Sequence, residues 1–400
     1  MLFSFVVSNI KDSVVLMHKR FSLFLVLILQ ILYIECIKCN AIDFASEEKI
    51  LKIPAVDKIK EFTIRENDTL TYTLKLALDE KGKPQYFFRN IFTPVCYTGE
   101  CKPVYINFYW DLLGNYMRYD LPDGKILTKV DHDEFKEEDY EKLRDILGRS
   151  TSIFADLKME DLMTKGTDSL SANVDAKTGA TLKTIKNEVI DGAVYTCFTL
   201  WHIAYGKLVI NKMREVTESY LNDEMLHSFL SSNNYHYQYW AMDRVIDKNG
   251  ALKNDYEKDI EQIIRGKNLF TARTALQKTG NDFFASLQKQ NWLWETYKSS
   301  SYPLQITILK KLGSISPGEK LSNQLASNIT ESNTEQFRLK IGILAKQQQL
   351  PESTQKIMAT ALSGENEQYT SEIYKTLEYF RPTDNDVKSK MEQYKSRKSN

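Results

Sequence analysis

The feature that most restricts the fold of this chain is the loss of strand patterns after about residue 210. From there on, apolar residues recur with helical periodicity in segments of about 12–15 residues, separated by short polar turns. Gln305, Gln336 and Gln368 stand 31–32 residues apart, each near the start of an apolar segment. A period of about 30–40 residues with paired helices is typical of an α-solenoid. We therefore predict an all-α, HEAT-like helical-repeat domain over 207–400, with an ordinary helical bundle as the alternative.

Two segments of this region are also similar to each other. FLSSNNYHYQYWAMDRV (229–245) and YKSSSYPLQITILKKL (297–312) each begin with an aromatic residue, followed by Ser-Ser, a Tyr, and a Gln three residues after that Tyr. An apolar helical pattern follows in both segments. Trp292 and Trp294 lie just before the second segment, and we expect them to pack between repeats.

The first half of the chain shows strand patterns instead. Residues 42–110 contain stretches of alternating apolar and polar residues, clearest in TLTYTLKLAL (69–78). The segment PVYINFYW (103–110) is typical of another strand, since it is rich in aromatic and β-branched residues.

Helical patterns follow these strands. Apolar residues on one face predict a helix over 135–148. From Thr184 onward, apolar residues spaced by four predict one long helix that ends at Gly206, with Gly192 inside it at a modest cost in stability. Strands followed by helices predict an α+β domain over 42–206.

The N-terminus has the composition of an export signal. A basic cluster, Met-His-Lys-Arg, precedes an apolar run at 21–34, which is short for the roughly 20 residues of a membrane-spanning helix. We therefore predict a signal peptide or N-terminal anchor over 1–41, with cleavage after Ala41 as one outcome. Lipidation of Cys36 or Cys39 and retention as an anchor are the alternatives. The predicted location is the periplasm or the outer side of the inner membrane.

Export changes the interpretation of the remaining cysteines. Cys96 and Cys101 enclose the turn Tyr-Thr-Gly-Glu, and in an oxidising compartment this pair could form a hairpin disulfide. Two free thiols or half of a metal site are the alternatives, but no second Cys pair and no close His pair accompanies them. Cys197 lies alone in an apolar run, which is typical of a packed thiol. No metal-binding residue is predicted.

A cluster of small and hydroxylic residues at 175–181 (DAKTGAT) precedes the predicted long helix. Free backbone N–H groups and the positive end of a helix dipole favour a phosphate there. Gly179 and Ala180 remove side-chain bulk, so a large group can approach the backbone. The alternative is that Thr178 or Thr181 only caps the helix.

Residues 175–184 resemble the flavinylation motif of FMN-binding domains, such as those in the flavin-carrying subunits of sodium-pumping quinone reductases and of Rnf electron-transport complexes. That motif is Asp, two variable residues, Ser or Thr, Gly, Ala, then Ser or Thr, often with another hydroxyl residue soon after. The resemblance implies an FMN-binding-like domain over 42–206 that carries FMN as a phosphoester on Thr181, attached by an exported flavin transferase. The cofactor-binding residues that it implies are Asp175, Thr178, Gly179, Ala180, Thr181 and Thr184. The helical region 207–400 is foreign to those subunits, so their partner complexes are not implied here.

Three other clusters are weaker candidates. The turn Asp-His-Asp at 131–133 has the composition of a charge-relay fragment, but no suitable nucleophile accompanies it, and a polar turn is the simpler interpretation. Tyr-Trp-Asp at 109–111 ends a predicted strand, where its rings either pack in the core or stack on a flavin ring. Trp-His at 201–202 ends the predicted long helix, and His202 either packs there or contacts the flavin.

The charge balance limits the class of partner. Lys plus Arg and Asp plus Glu both number 53, so the formal net charge is zero and argues for neither nucleic acid nor an acidic membrane surface. We predict an exported electron-transfer flavoprotein, a redox subunit rather than a stand-alone enzyme, with an unidentified redox or envelope protein as partner. The alternative is a non-catalytic envelope interaction protein whose helical repeats bind that partner.

Overall fold

The computed structural model describes residues 56–68, 70–95, 102–129, 132–159 and 189–399. The chain divides into two compact units: Met1–Lys58 with Asp79–Gly82, and Ile59–Leu78 with Lys83–Asn400. Apart from Lys58, the strands and helices below belong to the second unit. The predicted signal segment 1–41 lies outside the described residues.

A five-stranded sheet occupies the first part of the described chain. The strands lie side by side in chain order, and the pairs from the second strand to the fifth are antiparallel. Short turns are sufficient to join such neighbours, which accounts for a simple meander. Both strand segments singled out in the sequence are confirmed. The strands are β1 (Lys58–Arg65), β2 (Thr71–Leu78), β3 (Pro84–Thr93), β4 (Val104–Trp110) and β5 (Tyr116–Asp120).

The two faces of the sheet differ because side chains alternate along each strand. Leu76, Phe87 and Trp110 are paired across β2, β3 and β4, and all three are fully buried. They form the inner face, against which the first helices pack. The opposite face, here called the outer face, carries the polar and aromatic partners Lys75, Phe88 and Tyr109.

Three helices follow the sheet: α1 (Glu137–Gly148), α2 (Val194–Ala204) and α3 (Lys207–Ser219). Helix α1 packs on β5 and on α2, as its buried Leu143 and Leu147 require. The predicted helix over 135–148 is therefore confirmed to within two residues at its start.

The prediction of one continuous helix from Thr184 to Gly206 is wrong. Asp191 and Gly192 form a turn, and helix α2 begins only at Val194. Gly192 has a φ of 71°, a left-handed conformation that glycine adopts without steric cost. Ile190, just before the turn, is buried in the same core without belonging to the helix, which is why the apolar spacing was misleading.

The remainder of the described chain is helical. Apart from the short helix α8, the helices from α4 onward alternate between two layers. The first-layer helices are α4 (Asp223–Ser231), α6 (Glu257–Arg265), α9 (Leu287–Ser299), α11 (Glu319–Ala326), α13 (Glu352–Ala361) and α15 (Asn385–Ser399). The second-layer helices are α5 (Tyr235–Val245), α7 (Leu269–Lys278), α10 (Tyr302–Leu312), α12 (Thr334–Ala345) and α14 (Glu367–Phe380); α8 (Asn281–Ala285) precedes α9.

Each first-layer helix up to α13 packs against the second-layer helix that follows it, which makes a series of five helical hairpins. Second-layer helices also pack against one another in order, α5 with α7, α7 with α10, α10 with α12 and α12 with α14. In the first layer, α9, α11, α13 and α15 pack in the same order. The α+β part followed by an all-α part is thus confirmed.

A regular sequence signal marks these hairpins. The second-layer helices are capped by Asn234, Asn268, Ser301, Asn333 and Asn366, which stand 32–34 residues apart. In each of the four asparagines the side-chain oxygen accepts a backbone N–H bond in the first turn of the helix. The period that the glutamines indicated is therefore present in the helix starts as well.

Candidate functional site

The predicted flavin-binding residues Asp175, Thr178, Gly179, Ala180, Thr181 and Thr184 lie outside the described residues, as do Cys96 and Cys101. Along the chain, the described structure resumes at residue 189, just before the turn at Asp191 and Gly192. Because helix α2 begins at Val194, the phosphate-binding argument based on a helix that starts at Thr184 has no support from the described helices. The resemblance itself does not depend on that helix.

The predicted cluster at 109–111 is divided between the two faces of the sheet. Trp110 is fully buried on the inner face, and its indole Nε1–H donates to the Ala204 carbonyl at 2.7 Å. Tyr109 lies on the outer face, where its ring stacks on Phe88 with the centroids 6.1 Å apart. The prediction that these rings pack in the core is therefore confirmed for Trp110. Tyr109 lies on the opposite face of the sheet.

Asp111 is a buried carboxylate that organises the turn after β4. Its Oδ1 accepts N–H bonds from Leu113 and Asn115, both at 2.9 Å. Its Oδ2 accepts from the side-chain amides of Asn115 at 2.9 Å and Asn234 at 3.0 Å. Four donors satisfy the charge, so this group joins the sheet to the cap of helix α5.

The outer face carries a hydrogen-bonded row of polar side chains across four strands. Lys75 Nζ donates to Asn90 Oδ1 at 3.0 Å, and Asn90 Nδ2 donates to Asn107 Oδ1 at 2.8 Å. Asn107 Nδ2 donates in turn to Asp120 Oδ1 at 2.7 Å, and Arg118 donates to the other oxygen of Asp120. Apart from Arg118 Nε, which is buried without a hydrogen-bond partner among the described residues, the groups of this row bond one another, which indicates a structural role.

Tyr109 lies beside Asp120 and Arg118 at the end of this row. Burial, and then its hydrogen bond to Asp120, raise the pKa of the Tyr109 hydroxyl to about 12. The Arg118 guanidinium lies 4.7 Å from the centre of the Tyr109 ring. The tyrosine is thus a neutral hydrogen-bond donor at physiological pH, with an aromatic plane already covered by Phe88 and Arg118.

His202 is held in an aromatic environment within α2. Its ring centroid lies 4.2 Å from that of Phe198, and its Nε2 is buried without a hydrogen-bond partner in the described part of the chain. Burial lowers the pKa of His202, and a backbone hydrogen bond to Phe154 opposes that effect. This is the packed histidine that one of the two interpretations predicted.

The other single candidates have structural roles where they are described. Cys197 is fully buried, and burial raises its thiol pKa to about 12, so it is a poor nucleophile. Asp131 lies outside the described residues, and His132 sits in a turn with a φ of 67°.

Trp294 is buried in α9 and stacks on Tyr297 with the centroids 4.7 Å apart, while Trp292 lies 4.8 Å from the Arg265 guanidinium of α6. The Lys340 ammonium of α12 lies 5.8 Å from the centre of the Trp294 ring, so both tryptophans pack at junctions of neighbouring hairpins.

The hairpins are joined by polar bonds between equivalent positions. In the first layer, His227 Nδ1 of α4 lies 2.8 Å from Asp259 Oδ2 of α6, and Lys289 of α9 bonds Glu257 of α6 at 2.9 Å. In the second layer, Gln336 Nε2 donates to Gln305 Oε1 at 2.8 Å. Two of the three glutamines that showed the period are therefore partners across one junction. Gln368 is exposed.

The similarity between 229–245 and 297–312 also has a structural basis. Gln238 Nε2 donates to the Leu230 carbonyl at 3.3 Å, and Gln305 Nε2 donates to the Tyr297 carbonyl at 3.2 Å. Each glutamine thus closes the turn of its own hairpin, from the second helix back to the first.

Three successive hairpins expose an aromatic side chain at the start of the second helix, a feature that the sequence patterns did not identify. Tyr235, Phe270 and Tyr302 are the first or second residues of α5, α7 and α10, and their exposed fractions are 46%, 70% and 45%. We call these three residues the aromatic edge. The Tyr302 hydroxyl donates to Glu335 in the first turn of α12 at 2.8 Å, so the starts of α10 and α12 lie side by side. The signal was present in the sequence as an aromatic residue one or two positions after the caps Asn234, Asn268 and Ser301.

Among the described residues, no group of three or more His, Cys, Asp or Glu side chains has the arrangement of a metal site. Within the same part of the chain, no helix combines the length and hydropathy that a membrane crossing requires. No family model, no curated protein and no solved structure matches this chain. Its function is therefore inferred from its own residues and geometry.

Proposed function

We propose that this chain is an exported binding protein whose stacked helical hairpins hold a partner protein through the aromatic edge. One observation carries the proposal: Tyr235, Phe270 and Tyr302 are exposed at the start of the second helix in three successive hairpins. Single exposed apolar residues are common on protein surfaces, whereas an exposed aromatic residue that recurs in three successive repeats marks a candidate binding surface. Aromatic residues also dominate the binding energy of protein interfaces, because they bury a large area with little loss of side-chain freedom.

The architecture is suited to this role. Stacked hairpins form an extended surface in which each repeat adds an equivalent contact. The spacing of 32–34 residues between caps is shorter than the roughly 40–47 residues of HEAT and armadillo repeats. We therefore retain the HEAT-like prediction only in its general form, as a solenoid of helical hairpins.

Co-purification from the native envelope tests the proposal. The tagged full-length chain should retain a protein partner in near-stoichiometric amount. The triple variant Tyr235→Ala, Phe270→Ala and Tyr302→Ala should lose that partner while keeping the helical circular dichroism of the wild type. Tyr379→Ala is the matched control, because Tyr379 is 74% exposed but lies in the last turn of α14, away from the aromatic edge. Equal recovery of the partner with the triple variant would exclude the edge as its binding site.

A second candidate function is electron transfer by a covalent flavin. The motif at 175–184 supports it, with Thr181 as the phosphoester position and Asp175, Thr178, Gly179, Ala180 and Thr184 as the residues around it. The cofactor would supply the redox chemistry, while the protein would set its exposure and potential. A tethered flavin and a partner-binding stack are compatible in one electron carrier.

Co-expression with an exported flavin transferase tests this candidate. The protein should become yellow, fluoresce after denaturing electrophoresis, and gain the mass of one FMN on a peptide that contains Thr181. Thr181→Ala should abolish the label because the acceptor oxygen is gone, and Thr181→Ser should retain part of it. If the wild-type protein stays unlabelled under these conditions, the flavin candidate is excluded and the binding function is unaffected.

Both functions place the chain outside the cytoplasm. The basic and apolar run within 1–41 supports export, either as a cleaved or lipidated signal or as a retained anchor. In that setting we propose a disulfide between Cys96 and Cys101. Peptide mass analysis of the exported protein without reduction should show the two cysteines joined. Two alkylatable thiols in that sample would exclude the bridge.

A further inference from the structure

A cavity of about 550 Å³ lies between helices α9 and α11. Glu319 and Lys320 add one charge of each sign to its wall, so the site favours neither an anion nor a cation. Its volume is within the range of roughly 300–1,000 Å³ that is typical of ligand sites. The side chains that define its chemistry are Leu287, Gln290, Asn291, Leu321, Asn323 and Gln324.

Two of the four carboxamides in this wall hold the hairpins together. Gln290 is bonded at both ends: its Oε1 accepts from Gly318 N at 2.8 Å, and its Nε2 donates to the carbonyls of Ala285 and Ser316. Asn323 Oδ1 accepts from Thr354 Oγ1 of α13 at 2.6 Å. These two side chains have a structural role that accounts for them.

The other two carboxamides have no such role. Asn291 Oδ1 and Gln324 Oε1 are buried and have no hydrogen-bond donor within the described residues. A buried acceptor without a donor is unfavourable, because it has lost its bonds to water and gained none. Both side chains line the cavity, and the terminal torsion of Asn and Gln is broad and roughly two-fold, so rotation of the carboxamide presents its oxygen to a donor in the cavity.

The junction between α9 and α11 also differs from its neighbours. Side-chain bonds join α6 to α9 through Lys289, and α11 to α13 through Asn323. In the described structure no side chain of α9 bonds a side chain of α11. Leu287 lines the cavity with 69% of its surface exposed, so its apolar side chain is available to contact a ligand.

We propose that this cavity binds an extended, uncharged segment of a partner protein. Backbone N–H groups of the segment donate to Asn291 Oδ1 and Gln324 Oε1, and one of its apolar side chains lies against Leu287. An extended backbone suits two separated acceptors, because its N–H groups that point to one side recur at every second residue. The inference rests on the proposed binding function and assigns to it a second site, separate from the aromatic edge.

Selection from a phage-displayed library of random peptides tests the proposal on the full-length chain. Wild-type protein should select peptides that bind it. The double variant Asn291→Leu and Gln324→Met should bind them roughly ten- to thirtyfold more weakly, since two hydrogen bonds are lost. The same variant should melt at the wild-type temperature or above, because it removes two unpaired buried acceptors. Gln288→Met is the matched control, since Gln288 is an exposed residue of α9 outside the cavity.

N-methylation of the peptide backbone gives an independent readout. Methylating the two N–H groups that contact the cavity should weaken binding to wild-type protein and have little further effect on the double variant. The proposal is overturned if no peptide is selected, if the double variant binds as well as wild type, or if backbone methylation has no effect. Retention of a native partner through the aromatic edge would show in each case that the proposed function still stands.

Discussion

Asp111 is a buried carboxylate that links the sheet to the helices. It is 5% exposed and accepts four hydrogen bonds, from two backbone amides of its own turn and from Asn115 and Asn234. The carboxylate is tolerated in this position because each of its donors is in place. Removing it would leave one buried donor and three part-buried donors without this acceptor.

We expect Asp111→Ala to lower the free energy of unfolding by about 2–4 kcal/mol, since bonds to a charged group are lost and their donors stay buried or part-buried. Urea unfolding followed by circular dichroism measures this change. Asp123→Ala is the control, because Asp123 is exposed and should change stability by less than about 0.5 kcal/mol. Equal stability of the two variants would contradict the role assigned to Asp111.

His202 provides a test by pH. Its pKa in the folded protein is lowered from the ordinary value of 6.5 by burial, so the unfolded chain takes up its proton first. The contribution of this residue to stability is therefore present above about pH 6.5 and is lost as the pH falls through the lower folded pKa.

The comparison that isolates this effect is between wild type and His202→Gln, unfolded by urea at about pH 7.5 and about pH 5.5. Wild type should lose more stability than the variant on acidification. The packing difference between the two side chains is the same at both pH values and cancels. An identical loss in the two proteins would show that His202 titrates in the fold as it does in the unfolded chain.

At the scale of single elements, Gly192 gives the clearest contrast between sequence pattern and structure. Its φ of 71° belongs to the turn before α2, and a Cβ there would lie 3.4 Å from the Lys129 Cβ, which is an ordinary contact. The cost of adding a side chain is therefore conformational. We expect Gly192→Ala to destabilise the protein by roughly 1–2 kcal/mol.

The sign of the change in stability distinguishes a turn at Gly192 from a continuous helix through it. Inside a continuous helix, the same substitution would stabilise by roughly 1 kcal/mol, because alanine is the better helix former. Thermal unfolding of Gly192→Ala decides between them. A higher melting temperature for the variant would support the continuous helix that the apolar spacing predicted, and would contradict the turn.

The N-terminal caps of the second-layer helices differ in whether the capping side chain makes a hydrogen bond. Asn268 Oδ1 accepts from the backbone N–H of Phe270 at 3.0 Å, whereas Ser301 makes no side-chain cap bond. Asn268→Ala should therefore cost about 1 kcal/mol, and Ser301→Ala considerably less. Chemical denaturation of the two variants side by side measures the difference. Equal costs would mean that the asparagine spacing reflects something other than capping.

The elements that could be predicted from sequence are those with one unbroken periodicity. Strands β2 and β4 and helix α1 were predicted because their alternating or helical patterns coincide with their burial. Helix α2 was predicted too long, because residues before Gly192 that face the same core mimic a helical stripe. The asparagine period was visible in the sequence but was missed, since it lies in polar turns rather than in the apolar pattern.

The candidate sites could be predicted only in part for a similar reason. Composition identified Tyr109, Trp110 and Asp111 as a cluster, but the alternation of the strand sends neighbouring side chains to opposite faces. The aromatic edge and the carboxamide cavity depend on which helices become neighbours. That information is contained in tertiary packing and not in the spacing of any one segment.

At the scale of the whole molecule, the turn after β4 connects the sheet directly to the helical stack. Arg214 Nε of α3 donates to the Leu113 carbonyl at 3.1 Å, and Thr217 of the same helix donates to the Leu112 carbonyl. The Tyr237 hydroxyl of α5 accepts from Leu112 N at 3.0 Å. The first hairpin is thus anchored on the sheet, and each later hairpin is built on the one before it.

Site-specific photo-cross-linking in the native envelope tests most directly the claim that this stack binds a partner. A benzophenone amino acid in place of Phe270 should give a discrete adduct with one protein, because Phe270 lies at the centre of the aromatic edge. The same group in place of Tyr379 on α14, or of Phe92 on the outer face of the sheet, should give none, although both positions are at least 61% exposed. The account is contradicted if position 270 yields no adduct while position 92 or 379 does.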